Sequence, residues 1–281
     1  MLPRSLGFLL LAVAVSAGAQ TLDKISKSGT LTLGYVDNAA PFAYADANKD
    51  PQGYSVDLCR AVADSIGEQL KRPNLKTRWV KLTVQNRIDA VRKGQVDIEC
   101  GTATWTLGRQ RLVDFSLITF VDGGSVLTRL QDEGMRRLSD FDGKRIAVIG
   151  STTTERALRD GLTRALVQAE VVLVKSRNEG LDLLRQGQVN GFASDRTTLI
   201  GIVSQRATGD AFRLLDADFS VEQYALMLPR NDPDFRLAVN RGLARLYRSG
   251  DIQKVYDRWL GPLGPPSILL SATYFIQGLS E

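Results

Sequence analysis

The sequence predicts an α/β fold in two lobes of related construction, each a mainly parallel sheet with flanking helices. Two observations carry that expectation. Short apolar strand patterns alternate along the chain with apolar residues at helical spacing, which is how β-α units read in sequence. One helix–strand junction also recurs: IDAVRKGQVDI at residues 88–98 resembles LDLLRQGQVNG at residues 181–191. In both, a helical pattern stops at a glycine, Gly94 or Gly187, and a strand pattern follows. Glycine suits the left-handed conformation that closes a helix, because it has no Cβ to clash.

Taken in order, Leu31, Thr32 and Leu33 alternate as a strand with one buried face does, and so do residues 96–100. Val56, Cys59, Val62, Ala63 and Ile66 share one face of a helix. Residues 146–149 are an unbroken apolar run, as in a strand covered on both sides. Ala157, Leu158, Leu162, Ala165 and Leu166 mark another amphipathic helix, and helical patterns return around residues 235–247 and 252–259. From Pro262 on, closely spaced prolines stop that helix, and Tyr274, Phe275 and Ile276 are expected to pack on the surface.

Residues 1–19 of the 281 read as a secretory signal peptide: Arg4, an apolar stretch, then Ala17, Gly18 and Ala19 before the cut. The apolar stretch is too short to span a bilayer. Gln20 rather than a lipid-accepting Cys follows the cut, so a soluble periplasmic product is expected. The formal net charge of +5 is spread among mixed signs, without the basic stripe of a nucleic-acid binder. There is no histidine, which removes Ser-His-Asp and Cys-His catalysis and His-ligated zinc. No metal, no cofactor and no enzymatic activity are expected. In an oxidising compartment Cys59 and Cys100 are candidates for a disulfide; two buried thiols acting as small apolar groups are the alternative.

The first copy of the repeated junction runs into Gly101, Thr102, Ala103, Thr104, Trp105 and Thr106, followed by Arg109. The second runs into Ser194 and Asp195. Open α/β sheets bind ligands at the carboxyl ends of their strands. One lobe would therefore offer hydroxyls and a guanidinium and the other a carboxylate. Those groups match the two ends of an α-amino acid.

Other landmarks lie in order along the chain: Pro41-Phe42, Gly53-Tyr54, Gln85-Asn86-Arg87-Ile88, Glu99-Cys100-Gly101, Val113-Asp114-Phe115-Ser116 and Phe141-Asp142-Gly143-Lys144. Together with Thr104, Arg109 and the segment from Gly150 to Glu155, they resemble the amino-acid-binding members of the family-3 periplasmic solute-binding proteins of ABC transporters. Within that family the likeness is strongest to glutamate/aspartate binders. The resemblance implies a type II periplasmic binding protein fold, two lobes joined by two crossing strands that close on the ligand by hinge motion. The crossings are expected near Thr128 and near residues 222–224. Residues 20–127 then begin lobe 1, residues 128–223 form lobe 2, and residues 224–281 return to lobe 1 and end in a tail. The implied partners are an amino-acid ligand and the membrane permease of an ABC importer, with the chain acting as a monomer.

Carried over by resemblance, Arg109 with Thr104 takes the ligand α-carboxylate. Asp195 takes the α-ammonium with support from Thr102. Thr153 opens a helix whose N-terminus favours an anion, and Phe42 forms an apolar wall. Arg87 and Arg177 face a ligand side-chain carboxylate. The chain departs from acidic-ligand relatives at Val36, where they carry an arginine, at Arg177, where they carry a histidine, and at Val84, where they carry a serine. Glutamate or aspartate is the first expectation and a general L-amino-acid binder the second. A dehydratase or lyase on the same fold would need an acid or base beyond the binding constellation.

Overall fold

The computed structural model describes residues 20–206 and 211–281; the expected signal peptide lies outside the described residues. The first stretch holds α1 (Gln20–Ser28), β1 (Thr30–Val36), a small hairpin of β2 (Tyr44–Ala45) and β3 (Pro51–Gln52), α2 (Tyr54–Gln69), β4 (Lys76–Leu82), α3 (Arg87–Arg92), β5 (Ile98–Glu99) and α4 (Leu107–Gln110). The long strand β6 (Asp114–Arg129) leads to β7 (Arg145–Ile149), α5 (Thr153–Arg164), β8 (Glu170–Val174), α6 (Arg177–Arg185), β9 (Gly191–Asp195), α7 (Arg196–Arg206) and β10 (Phe212–Leu214). Strand β11 (Ser220–Leu228) runs back, followed by α8 (Pro233–Ser249), α9 (Asp251–Trp259) and α10 (Ile268–Gln277).

The main sheet runs β4-β1-β5-β11-β6-β9-β7-β8, with β10 also on β6. At one end β1 pairs in parallel with β4 and β5; at the other β7 pairs in parallel with β8 and β9. Each end is thus a β-α-β-α-β unit with its first strand in the middle. The repeated sequence falls at equivalent places, α3 into β5 and α6 into β9. Gly94 and Gly187 have φ of 65° and 71°, the left-handed conformation expected of them. Between the two units lie β6 and β11, antiparallel to each other. Gly124 of β6 pairs with Ser220 on one side and Asp195 on the other, so the strand changes company there. Thr128 lies further along and pairs with Arg213.

The elements form where the residues demand. Leu58, Val62 and Ile66 of α2 are fully buried against Leu31, Leu33, Leu226 and Phe235, each such side chain stabilising the fold by about 1.5–3 kcal/mol. Cys59 of α2 is bonded to Cys100 after β5, with Cα atoms 6.1 Å apart, which decides between the two readings of the cysteines. Helix α8 starts with Asp232 accepting from the Phe235 N–H at 3.1 Å and with proline in its first turn, and it stops at Gly250, φ 80°.

Some local expectations fail for identifiable reasons. Thr32, Asp97 and Glu99 sit at the polar positions of alternating strands yet are all buried. Asp97 is needed inside: it accepts from the Thr32 N–H at 2.9 Å and from Lys24 at 2.7 Å. Leu166 does not belong to the amphipathic face, because the helix ends at Arg164 and Leu166 turns left-handed into solvent. The tail is also more ordered than its prolines suggest. Past them α10 starts afresh, Ser267 accepting from the Leu270 N–H. Tyr274 is buried on Tyr54, their hydroxyls 2.6 Å apart, while Phe275 and Ile276 stay exposed.

Candidate functional site

The carboxyl ends of β5, β7 and β9 converge where the two units face each other. Thr102 and Thr104 come from the loop after β5, Arg87 from the start of α3, Thr153 from the start of α5, Arg177 from the start of α6, and Asp195 from the end of β9. All six line one small cavity of about 20 Å³, whose apolar wall is Val84, Val148 and Ile149. Helices α5 and α6 both begin here with capped N-termini: Thr152 accepts from the Glu155 N–H and Ser176 from the Glu179 N–H. Their positive ends favour an anion between them.

The walls touch. Thr104 and Thr153 oxygens are 3.1 Å apart, Arg177 Nη2 donates to Thr102 Oγ1 at 3.3 Å, and Gln85 Nε2 donates to the Lys175 carbonyl at 3.1 Å. A space of this size holds little more than a water molecule. An amino acid enters only if these contacts part.

Arg109 lies in an adjoining groove, which shares Thr152 and Thr153 with the cavity. Its Nη1 donates to the Thr104 carbonyl at 2.8 Å. Burial, and secondarily Arg87, lowers its pKa to about 10, so it remains a cation at neutral pH. Phe42 does not line the cavity. It is fully buried in an aromatic cluster with Tyr54, Phe120 and Tyr224, so the apolar wall expected of it is supplied by other residues. Val36 is likewise buried in the apolar cluster that holds Leu82 and Phe115.

Four acidic or phenolic groups missing from the sequence-based constellation complete the site. Tyr224 donates to Asp195 Oδ2 at 2.6 Å, and Thr154 donates to Asp195 Oδ1 at 3.0 Å. Tyr224 also lies 3.2 Å from Asp122 Oδ2; burial, then the neighbouring Asp195, pushes the Asp122 carboxyl up to about 7. Glu222 accepts from Thr104, Thr153 and Ser220 at 2.6, 2.8 and 2.8 Å, and burial raises its pKa. Glu99 is fully buried, 3.9 Å from Arg87 Nη1. In sequence Glu99 sits at a polar position of an alternating strand pattern, which reads as solvent-facing, and the residues around Asp122 and Glu222 carry no pattern that marks either acid as buried.

Comparison with known proteins fits this geometry. Residues 31–262 match the bacterial extracellular solute-binding proteins, family 3. The chain is 34% identical over 250 residues to an L-glutamate/L-aspartate-binding protein of Pseudomonas aeruginosa, covering 88% of this chain and 82% of that one. It is 30% identical over 253 residues to a glutamate/aspartate import solute-binding protein of Salmonella typhimurium, covering 90% and 83%. Among solved structures it is similar to an ancestral amino acid-binding protein described as a precursor of cyclohexadienyl dehydratase, with a TM-score of 0.74, 25% identity, and coverage of 85% of this chain and 99% of the other.

Proposed function

The chain belongs to the bacterial extracellular solute-binding proteins of family 3, and on that premise we propose that it captures an L-amino acid, glutamate or aspartate first, for an ABC importer. One observation carries the reading: a carboxylate, Asp195, and two buried guanidinium groups, Arg87 and Arg177, line a single cavity between two lobes. An acidic amino acid has one ammonium and two carboxylates. Asp195 takes the ammonium, and Arg109 with the start of α5 takes the α-carboxylate. Arg87 and Arg177 then meet the side-chain carboxylate from opposite lobes. Charge-assisted hydrogen bonds of this kind contribute about 1.5–3 kcal/mol each, enough in sum, after ordering costs, for an affinity near a micromolar Kd, about −8 kcal/mol.

The lobes in this reading are residues 20–127 with 224–281, and residues 128–223, with β6 and β11 as the crossings. The chain works as a periplasmic monomer after removal of residues 1–19, and it hands its ligand to the importer's membrane permease. A thermal-shift screen of the twenty amino acids, followed by calorimetry on the hits, tests the assignment. Stabilisation by glutamate and aspartate above the neutral amino acids supports it, and indifference to all twenty overturns it.

A further inference from the structure

Glu99 is the least expected group around the cleft. It is 0% exposed, and neither of its carboxylate oxygens has a hydrogen-bond partner among the described residues. Its nearest cation, Arg87, is 3.9 Å away, a Coulombic contact without a hydrogen bond. Arg87, Arg109 and Arg177 all act on it, each favouring its ionised form against the desolvation that raises its pKa. Arg177, also buried, keeps an unpartnered Nε. A pair serving stability alone would be joined by hydrogen bonds, since unsatisfied buried charge is costly. Here Arg87 and Arg177 line the cavity while Glu99 lies buried behind Arg87, with bonding capacity unspent on Glu99 and on Arg177. The space for Glu99 is built in as well: a Cβ on Gly101 would lie 2.3 Å from Glu99 Oε1.

Resting on the ligand reading above, we propose that Glu99 is an internal counter-charge that sets the site's preference for ligand side-chain charge. With Arg109 and Asp195 assigned to the ligand's α-groups, the side-chain end of the cleft presents Arg87 and Arg177, and Glu99 lies buried behind Arg87 within Coulombic reach of both. Two positive charges and one negative leave one positive charge unbalanced. A single side-chain carboxylate neutralises it, whereas a neutral side chain buries it uncompensated. Glu99 thereby tempers a doubly cationic pocket: it repels the ligand's carboxylate and lowers the penalty for a neutral ligand. No hydrogen bond from Glu99 fixes Arg87, so its influence is through charge rather than orientation.

The test is calorimetry with glutamate against glutamine, and aspartate against asparagine, on the full mature chain and on Glu99→Gln, Arg87→Gln and the double variant. The acid-over-amide preference is expected to rise at least about tenfold in Glu99→Gln, because the pocket becomes doubly positive. It is expected to fall at least about tenfold in Arg87→Gln and to recover toward the unmodified value in the double variant. An unchanged or reduced preference in Glu99→Gln overturns the proposal. If that variant does not fold, a double variant no more acid-selective than Arg87→Gln overturns it equally. Failure of the unmodified chain to bind any amino acid instead overturns the ligand reading, and this inference with it.

Discussion

Thr104 from the loop after β5 and Thr153 at the start of α5 donate to the same oxygen of Glu222, at 2.6 and 2.8 Å. Glu222 belongs to β11, which lies antiparallel to β6 between the two β-α-β-α-β units, so one carboxylate links the loop after β5 and the start of α5 to that strand. If the two crossing strands act as the proposed hinge, these bonds form only when the walls meet and so favour closure.

Replacing Glu222 by Gln weakens both bonds by removing the charge on the acceptor. The expected result is a lower closed population and a loss of about tenfold in affinity for every amino acid alike. Calorimetry across the panel, with small-angle scattering to follow opening, reads both effects. A loss confined to acidic ligands would show that Glu222 acts on the ligand and not on closure.

Asp122 gives a pH dependence with a definite sign. Its folded pKa is raised to about 7, so between its ordinary carboxylate value and pH 7 the folded chain binds the proton more tightly than the unfolded one. Stability from this group is greatest in acid and declines as pH rises toward 7, by up to about 4 kcal/mol. The melting temperature of Asp122→Asn relative to the unmodified chain is therefore expected to increase between pH 5 and pH 8. A difference that stays constant with pH would place the titration elsewhere.

The fold was largely legible because its signals are local. Period-3.6 and period-2 patterns and two helix-closing glycines are properties of short segments. They pointed to two lobes of related construction and to a binding site expected at their strand ends. Asp195, Thr102 and Thr104, expected at those strand ends, line the cavity, and Arg109 lies in the adjoining groove. Glu99, Asp122 and Glu222 were not legible, because burial of an acid in a strand depends on what packs across from it. Phe42 failed for the same reason in reverse: an aromatic beside a cleft and one in the core have the same local sequence. The α10 packing rests on a contact between Tyr54 and Tyr274, separated by 220 residues.

The Cys59–Cys100 bond closes a loop of 41 residues, for which chain entropy gives a stabilisation of about 4 kcal/mol. Reduction, or the double substitution of both cysteines by Ala, should lower the denaturant midpoint accordingly. Thiol titration of the denatured, unreduced chain should find no free thiol.

Arg177→Ala separates the two specificity readings. Removing one buried cation opposite a side-chain carboxylate costs an acidic ligand about 2–5 kcal/mol, whereas glutamine or alanine has no such charge to strand. Competition binding should therefore show glutamate and aspartate losing far more than the neutral amino acids. Equal losses for all would favour a general L-amino-acid binder.

The most direct test of the account is a calorimetric titration of the mature chain with L-glutamate, before and after Arg109→Ala. The unmodified chain should bind one glutamate per protein at micromolar concentration or below. The variant, folded but without the cation for the α-carboxylate, should lose at least about 2 kcal/mol, roughly thirtyfold. Affinity unchanged by the substitution, or no binding by the unmodified chain, would contradict it.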